Sequence, residues 1–178
     1  TYLAAAGALS VSGAWTQQAP TRPGIPLSDL AGANYAAVAI LAALRRRDAT
    51  GAGAHLDVSI TDAALSFTAT RVDPTDVAPE SGRQHLLPTN DLYQARDGRY
   101  LSIGAVEEHF WQRLRNLLAS EEPQVAEPRF DAPRRQANGD ELVELLRRAF
   151  SQRDSGAWIE ALEAADVPVE LVSTVAEA

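Results

Sequence analysis

With 178 residues the chain is long enough for a domain with a real hydrophobic core. Its 46% hydrophobic and 22% charged content is that of an ordinary globular protein. A formal net charge of −8 argues against a nucleic-acid partner, because phosphate binding needs a basic surface, while leaving room for one local basic site for an anionic ligand. There is no cysteine, which removes disulfides and thiolate metal sites and fits a cytoplasmic protein. The apolar stretches are broken short of a bilayer span, and Leu3–Leu9 is too short for a signal peptide and lacks its basic leader, so no membrane contact is expected. The chain also contains no methionine and opens on Thr1-Tyr2-Leu3 as if inside an element. It is read as an internal fragment of a longer protein.

The elements follow in chain order. Tyr2–Ser12 is small and apolar and reads as either a short helix or a strand. Gly13 to Pro26 holds three prolines and Gly24 and predicts a loop. Ser28 is expected to cap a helix running to about Arg47, with Asp29 in its first turn, where the helix dipole favours an acid. Ala36–Leu44 is apolar nearly all round, which predicts a buried helix. Arg45, Arg46 and Arg47 suit its last turn as solvated cations, and Thr50-Gly51-Ala52-Gly53 is the stop.

His55–Ile60 alternates as a strand does, and Thr61 or Asp62 can cap a helix over Ala63–Thr68. Arg71–Pro88 is a polar, proline-containing connection. Asp91–Ala95 and Arg99–Val106 predict two strands joined by Arg96-Asp97-Gly98, a strong hairpin signal. Glu107–Leu118 carries Phe110, Trp111, Leu114, Leu117 and Leu118 on one face. A loop over Glu121–Asn138 precedes two helices, Glu141–Phe150 and one starting at Asp154, Ser155 or Gly156 and ending at Ala165. Val167–Val172 predicts a last strand. The expected fold class is α/β: residues 1–70 as part of a large domain, 71–86 as linker, 87–173 as a small α+β domain, and 174–178 as the start of a return to the large domain.

Few isolated motifs carry chemistry. His55, His85 and His109 lack metal-ligand spacing, so no metal site is expected. Ser10, Ser12 and Ser28 lack a nucleophile-elbow context, and no Gly-Lys-Ser/Thr follows Gly51-Ala52-Gly53.

Four ordered blocks carry more. They are Tyr2-Leu3-Ala4-Ala5-Ala6-Gly7-Ala8-Leu9, and Asp29-Leu30-Ala31-Gly32 leading through Ile40–Leu44, Arg47 and Thr50-Gly51 to Asp57-Val58-Ser59. The others are Tyr93 with Asp97-Gly98-Arg99-Tyr100, and Gly104-Ala105-Val106-Glu107 with Phe110-Trp111. Together they resemble the family III CoA-transferases, a family that also contains the 2-methylacyl-CoA racemases. The resemblance implies a Rossmann-like large domain, of which this chain holds part, and an intertwined homodimer at full length. It implies no bound cofactor; a coenzyme A thioester and a small carboxylic acid are the substrates.

By the same resemblance Asp29 is the catalytic carboxylate. In the transferases the matching Asp attacks an acyl-CoA thioester and becomes in turn a mixed anhydride and an aspartyl-CoA thioester. In the racemases it exchanges an α-proton with a His that lies four places before the position of Tyr2, ahead of Thr1. Glu107 matches a Glu that approaches the catalytic Asp in racemase-type members and tunes it. Ala31, Gly32 and Ala105 are the implied substrate or CoA contacts, Gly32 by letting the backbone come close to the thioester. CoA transfer is the leading reading and racemisation the runner-up, toward which the Gly-Ala-x-Glu-x-x-Phe-Trp block leans. A third reading, of another class, is a non-catalytic dimerisation piece in which Asp29 only caps its helix.

Overall fold

The computed structural model describes residues 1–12, 20–69 and 87–178. These fall into two compact units, one holding residues 1–12 and 20–69, the other residues 87–178. The expected linker over 71–86 lies outside the described residues.

The first unit is helical. Helix α1 (Tyr2–Ala5) ends at Gly7, whose φ of +71° is left-handed. There the Gly7 N–H donates to Ala4 O (3.1 Å) and the Ala8 N–H to Leu3 O (2.9 Å), the paired bonds of a Schellman stop. The ambiguity between helix and strand over Tyr2–Ser12 is thereby settled toward helix. Helix α2 spans Leu27–Thr50, 24 residues. It stops at Gly51, whose φ is +73° and whose N–H donates to Arg47 O at 2.7 Å. It therefore runs one turn beyond the expected end, and of the three arginines only Arg47 lies in the last turn.

Helix α3 (Ile60–Thr68) starts three residues earlier than expected. Ser59 is its cap, the hydroxyl accepting from the Asp62 N–H at 3.1 Å. The strand expected over His55–Ile60 does not form: residues 54–59 hold no ladder, and Ile60 is already helical. Alternation specifies a strand only where a neighbouring strand takes its hydrogen bonds. Helix α3 packs on α2 where both offer small side chains; Ala31, Gly32, Ala63 and Ala64 are all buried. A Cβ on Gly32 would lie 3.0 Å from Ile60 Cγ1, so the glycine admits α3.

The expectation of a buried α2 fails. Only Ser28, Ala31 and Gly32 are buried, whereas Val38 and Leu41 are 66% and 67% exposed. An all-apolar helix needs cover on several faces, and the contacts within this unit come from α3 and, weakly, α1. By length and hydropathy alone α2 also passes as a membrane span, contrary to the sequence reading. However, its stretch without an ionisable acid or base between Asp29 and Arg45 is 15 residues, Leu30 to Leu44. That is roughly 22 Å of helix, less than the ~30 Å of a bilayer core.

The second unit is α+β. Strands β1 (Leu92–Gln94), β2 (Tyr100–Ile103) and β3 (Val169–Leu171) form an antiparallel sheet in that order. Gln94 pairs with Tyr100 across the predicted Asp-Gly hairpin, and Leu101 pairs with Leu171. Helices α4 (Glu108–Leu118), α6 (Gly139–Phe150) and α7 (Ser155–Ala164) cover one face of it. The expected loop over Glu121–Asn138 contains 3-10 turns at Pro123–Ala126 and Pro128–Phe130 and a short helix α5 (Arg134–Ala137). Prolines at 123 and 128 suit a turn's first position, where no N–H is needed. Tyr93, Leu101, Ile103, Trp111, Leu114, Phe130, Phe150 and Trp158 form the core, all 0–2% exposed. The indole N–H groups of Trp111 and Trp158 donate to Phe130 O (3.1 Å) and Phe150 O (2.8 Å), so neither buries an unpaired donor.

Candidate active site

The site is built on the start of α2. Pro26, not Ser28, is the N-cap residue, and no side chain caps the helix. Proline brings a fixed φ and a carbonyl that accepts from the Leu30 N–H at 3.0 Å, so the helix starts directly behind it. Ser28 is thereby moved into the first turn and buried. Asp29 becomes the third helical residue. An acid there usually reaches back to the N–H of the cap residue. Pro26 has none, and the Asp29 carboxylate makes no hydrogen bond or ion pair with any described residue. Asp29 is exposed. Among the described residues Asp29 thus makes no capping bond to its helix.

The amides of Ser28 and Asp29 likewise have no acceptor among the described residues. They are the orphan donors of a helix start, and they make it a favourable place for negative charge. Beside them lies a cleft of about 760 Å³, lined by Thr1, Tyr2, Leu3 and Leu9, by the segment Arg22–Leu27, and by Ser28 and Asp29. All of these belong to the first unit. Sequence reasoning missed Arg22; its signal was a basic residue in the proline loop leading to the Asp.

The other named residues are placed differently. Ala31 and Gly32 are buried where α2 meets α3, and Gly32 makes room for Ile60. Ala105 and Glu107 belong to the second unit. Ala105 is fully buried in its core, and its N–H donates to Thr89 O at 2.8 Å. Its methyl group is a packing element of that core. Glu107 is exposed at the N-cap of α4, and its side chain makes no capping bond.

The block from Tyr93 to Tyr100 is structural. The Tyr93 hydroxyl donates to Pro88 O at 2.5 Å and its ring stacks on Phe150, centroids 5.1 Å apart. Burial pushes this phenol far above its ordinary range. Asp97 accepts from both the Ser155 N–H (2.9 Å) and the Ser155 hydroxyl (2.6 Å), so the hairpin tip caps α7. Those bonds hold the Asp97 carboxyl below the usual carboxylate range. Gly98 sits at φ +83° in the same turn.

Asp29 thus stands at a helix start beside a cleft and behind a proline loop, with no partner among the described residues. The family model described as CoA-transferase family III matches residues 1–178. The chain belongs to the family III CoA-transferases. Among curated relatives it is 35% identical over 167 residues to an acetyl-CoA:oxalate CoA-transferase of Acetobacter aceti, covering 89% of this chain and 42% of that protein. It is 32% identical over 164 residues to a succinyl-CoA:mesaconate CoA-transferase of Haloarcula marismortui, covering 89% and 40%. The chain thus spans less than half the length of these relatives. Among solved structures, a CAIB/BAIF family protein from Brucella suis superposes with a TM-score of 0.74 at 22% identity, over 99% of this chain and 47% of that one. A hypothetical protein from Mycobacterium tuberculosis gives 0.74 at 24% identity, over 99% and 47%. Both likenesses show the fold. The two curated relatives are named as transferases, so the lean of the Gly-Ala-x-Glu-x-x-Phe-Trp block toward a racemase finds no support in them.

Proposed function

We propose that this chain is the aspartate-bearing part of an enzyme that moves CoA between an acyl-CoA thioester and a free carboxylic acid. The observation that carries it is the state of Asp29: exposed, unpartnered among the described residues, in the first turn of α2 and at a cleft. The carboxylate attacks the thioester carbonyl, forming a mixed anhydride and releasing the CoA thiolate. Attack by that thiolate on the Asp29 acyl carbon frees the first acid and leaves an aspartyl-CoA thioester. The acceptor carboxylate then attacks this thioester, giving a second anhydride and thiolate. A final attack on the acceptor's acyl carbon yields the new acyl-CoA and restores Asp29. Charge that develops on carbonyl oxygens along this path is favoured near orphan amides such as those of Ser28 and Asp29.

A Rossmann-like large domain and an intertwined homodimer are part of the same proposal for the whole protein. Glu107 is proposed, on the family resemblance, as the second acidic group. The test is to incubate the whole protein with acetyl-CoA, quench, digest and weigh the peptide that contains Asp29. An acyl or CoA adduct on Asp29, together with acyl-CoA formation from added oxalate or mesaconate, is the expected result. Asp29→Ala should lower transfer at least about a thousandfold. Deuterium uptake at the α-carbon of a 2-methylacyl-CoA in D2O, with no acceptor and no adduct, would overturn transfer in favour of proton exchange.

A further inference from the structure

The cleft beside Asp29 has a second charged side chain. Arg22 lines it from the proline loop, seven positions before the aspartate. Among the described lining side chains Arg22 is the one cation and Asp29 the one anion. Arg22 is exposed and makes no ion pair or hydrogen bond with any described residue. This sets it apart from arginines of the second unit such as Arg96, Arg113, Arg148 and Arg153, which are held by acids. An arginine with no partner among the described residues, at the wall of a cleft, is matched to a carboxylate from outside. Its position is also constrained: Pro23 and Pro26 bracket Gly24-Ile25 and fix two of the backbone φ angles between Arg22 and α2.

We propose that Arg22 binds the non-reacting carboxylate of a dicarboxylic acid acceptor while its other carboxylate attacks at Asp29. The assignment rests on the transferase reading above. The choice of the non-reacting group follows from the chemistry. A guanidinium bound to both oxygens of the attacking carboxylate would draw negative charge from them and make them poorer nucleophiles. On the far carboxylate it only orients.

The experiment uses the whole protein with acetyl-CoA as donor and compares a dicarboxylate acceptor, mesaconate, with a monocarboxylate acceptor, crotonate. The readout is the ratio of kcat/KM for the two acceptors. Arg22→Gln should lower this ratio about tenfold to a hundredfold through KM for the dicarboxylate, and Arg22→Lys, which keeps the charge but not the fork, should fall between. A thermal melt matching wild type, and formation of the Asp29 adduct from acetyl-CoA without acceptor, show that the variant is folded and that its first half-reaction is intact. An unchanged ratio in Arg22→Gln, whether both acceptors suffer equally or neither does, overturns the assignment and leaves the transferase reading standing. Absence of any adduct or transfer in wild type overturns the transferase reading, and the assignment with it.

Discussion

The two units treat apolar side chains in opposite ways. In the second, Trp111, Phe130, Phe150 and Trp158 are fully buried between a three-stranded sheet and its helices. In the first, Val38, Ile40, Leu41 and Leu44 stand 40–67% exposed along α2. The second unit closes its own core; the first presents an apolar helix that its neighbours α1 and α3 leave largely bare. The aspartate proposed to react, Asp29, sits on the unit with the smaller core.

The difference is sharpest under core truncation. Trp158→Ala should cost about 3–5 kcal/mol, from lost burial, the cavity left behind and the Phe150 carbonyl left without its indole donor. Leu41→Ser, on the bare face of α2, should change stability by less than about 0.5 kcal/mol while reducing self-association of this chain. Urea titration and sedimentation check the pair; a large loss for Leu41→Ser would show that its face is covered.

A smaller effect is expected in the hairpin. Gly98→Ala meets open space, the nearest atom being Gln94 Nε2 at 4.0 Å, so its cost is that of a left-handed backbone alone, about 1–2 kcal/mol. A loss well beyond that would mean that the turn itself rearranges.

The smallest effect is in pH. Asp97 is held below its ordinary range by Ser155, and Asp154 by the hydrogen bond from Arg96. Where pH lies between the folded and unfolded values, the unfolded chain carries protons that the folded one does not, so stability rises with pH. Their contribution is complete above about pH 4 and is lost as pH falls through the depressed folded values. Acid titration of the second unit's melting transition should therefore flatten in Asp97→Asn. An unchanged acid limb would show that the cap on α7 contributes nothing there.

Much of the second unit was legible because its signals are local. Asp97-Gly98 specifies a turn, and Phe110, Trp111, Leu114, Leu117 and Leu118 specify one helix face, whatever lies elsewhere. The expected loop at 121–138 hid 3-10 turns and α5 because prolines mark both loops and helix starts. The expected strand at 55–60 failed because a strand depends on a partner that its own residues do not name.

The candidate site divides along the same line. The sequence by itself determined that a carboxylate stands in the first turn of a long apolar helix behind a proline loop, and its ordered motifs are those of the family to which the chain belongs. Residue type, spacing and the absent N–H of Pro26 are chain-local properties. Only the tertiary structure decided that Ser28 is buried rather than capping, that Gly32 serves Ile60, that Ala105 is core, and that Arg22 shares a cleft with Asp29. The contacts of Gly32 and Ala105 depend on which atoms from distant parts of the chain come into van der Waals reach, and the cleft on how the proline loop folds back; no periodicity or motif encodes either directly.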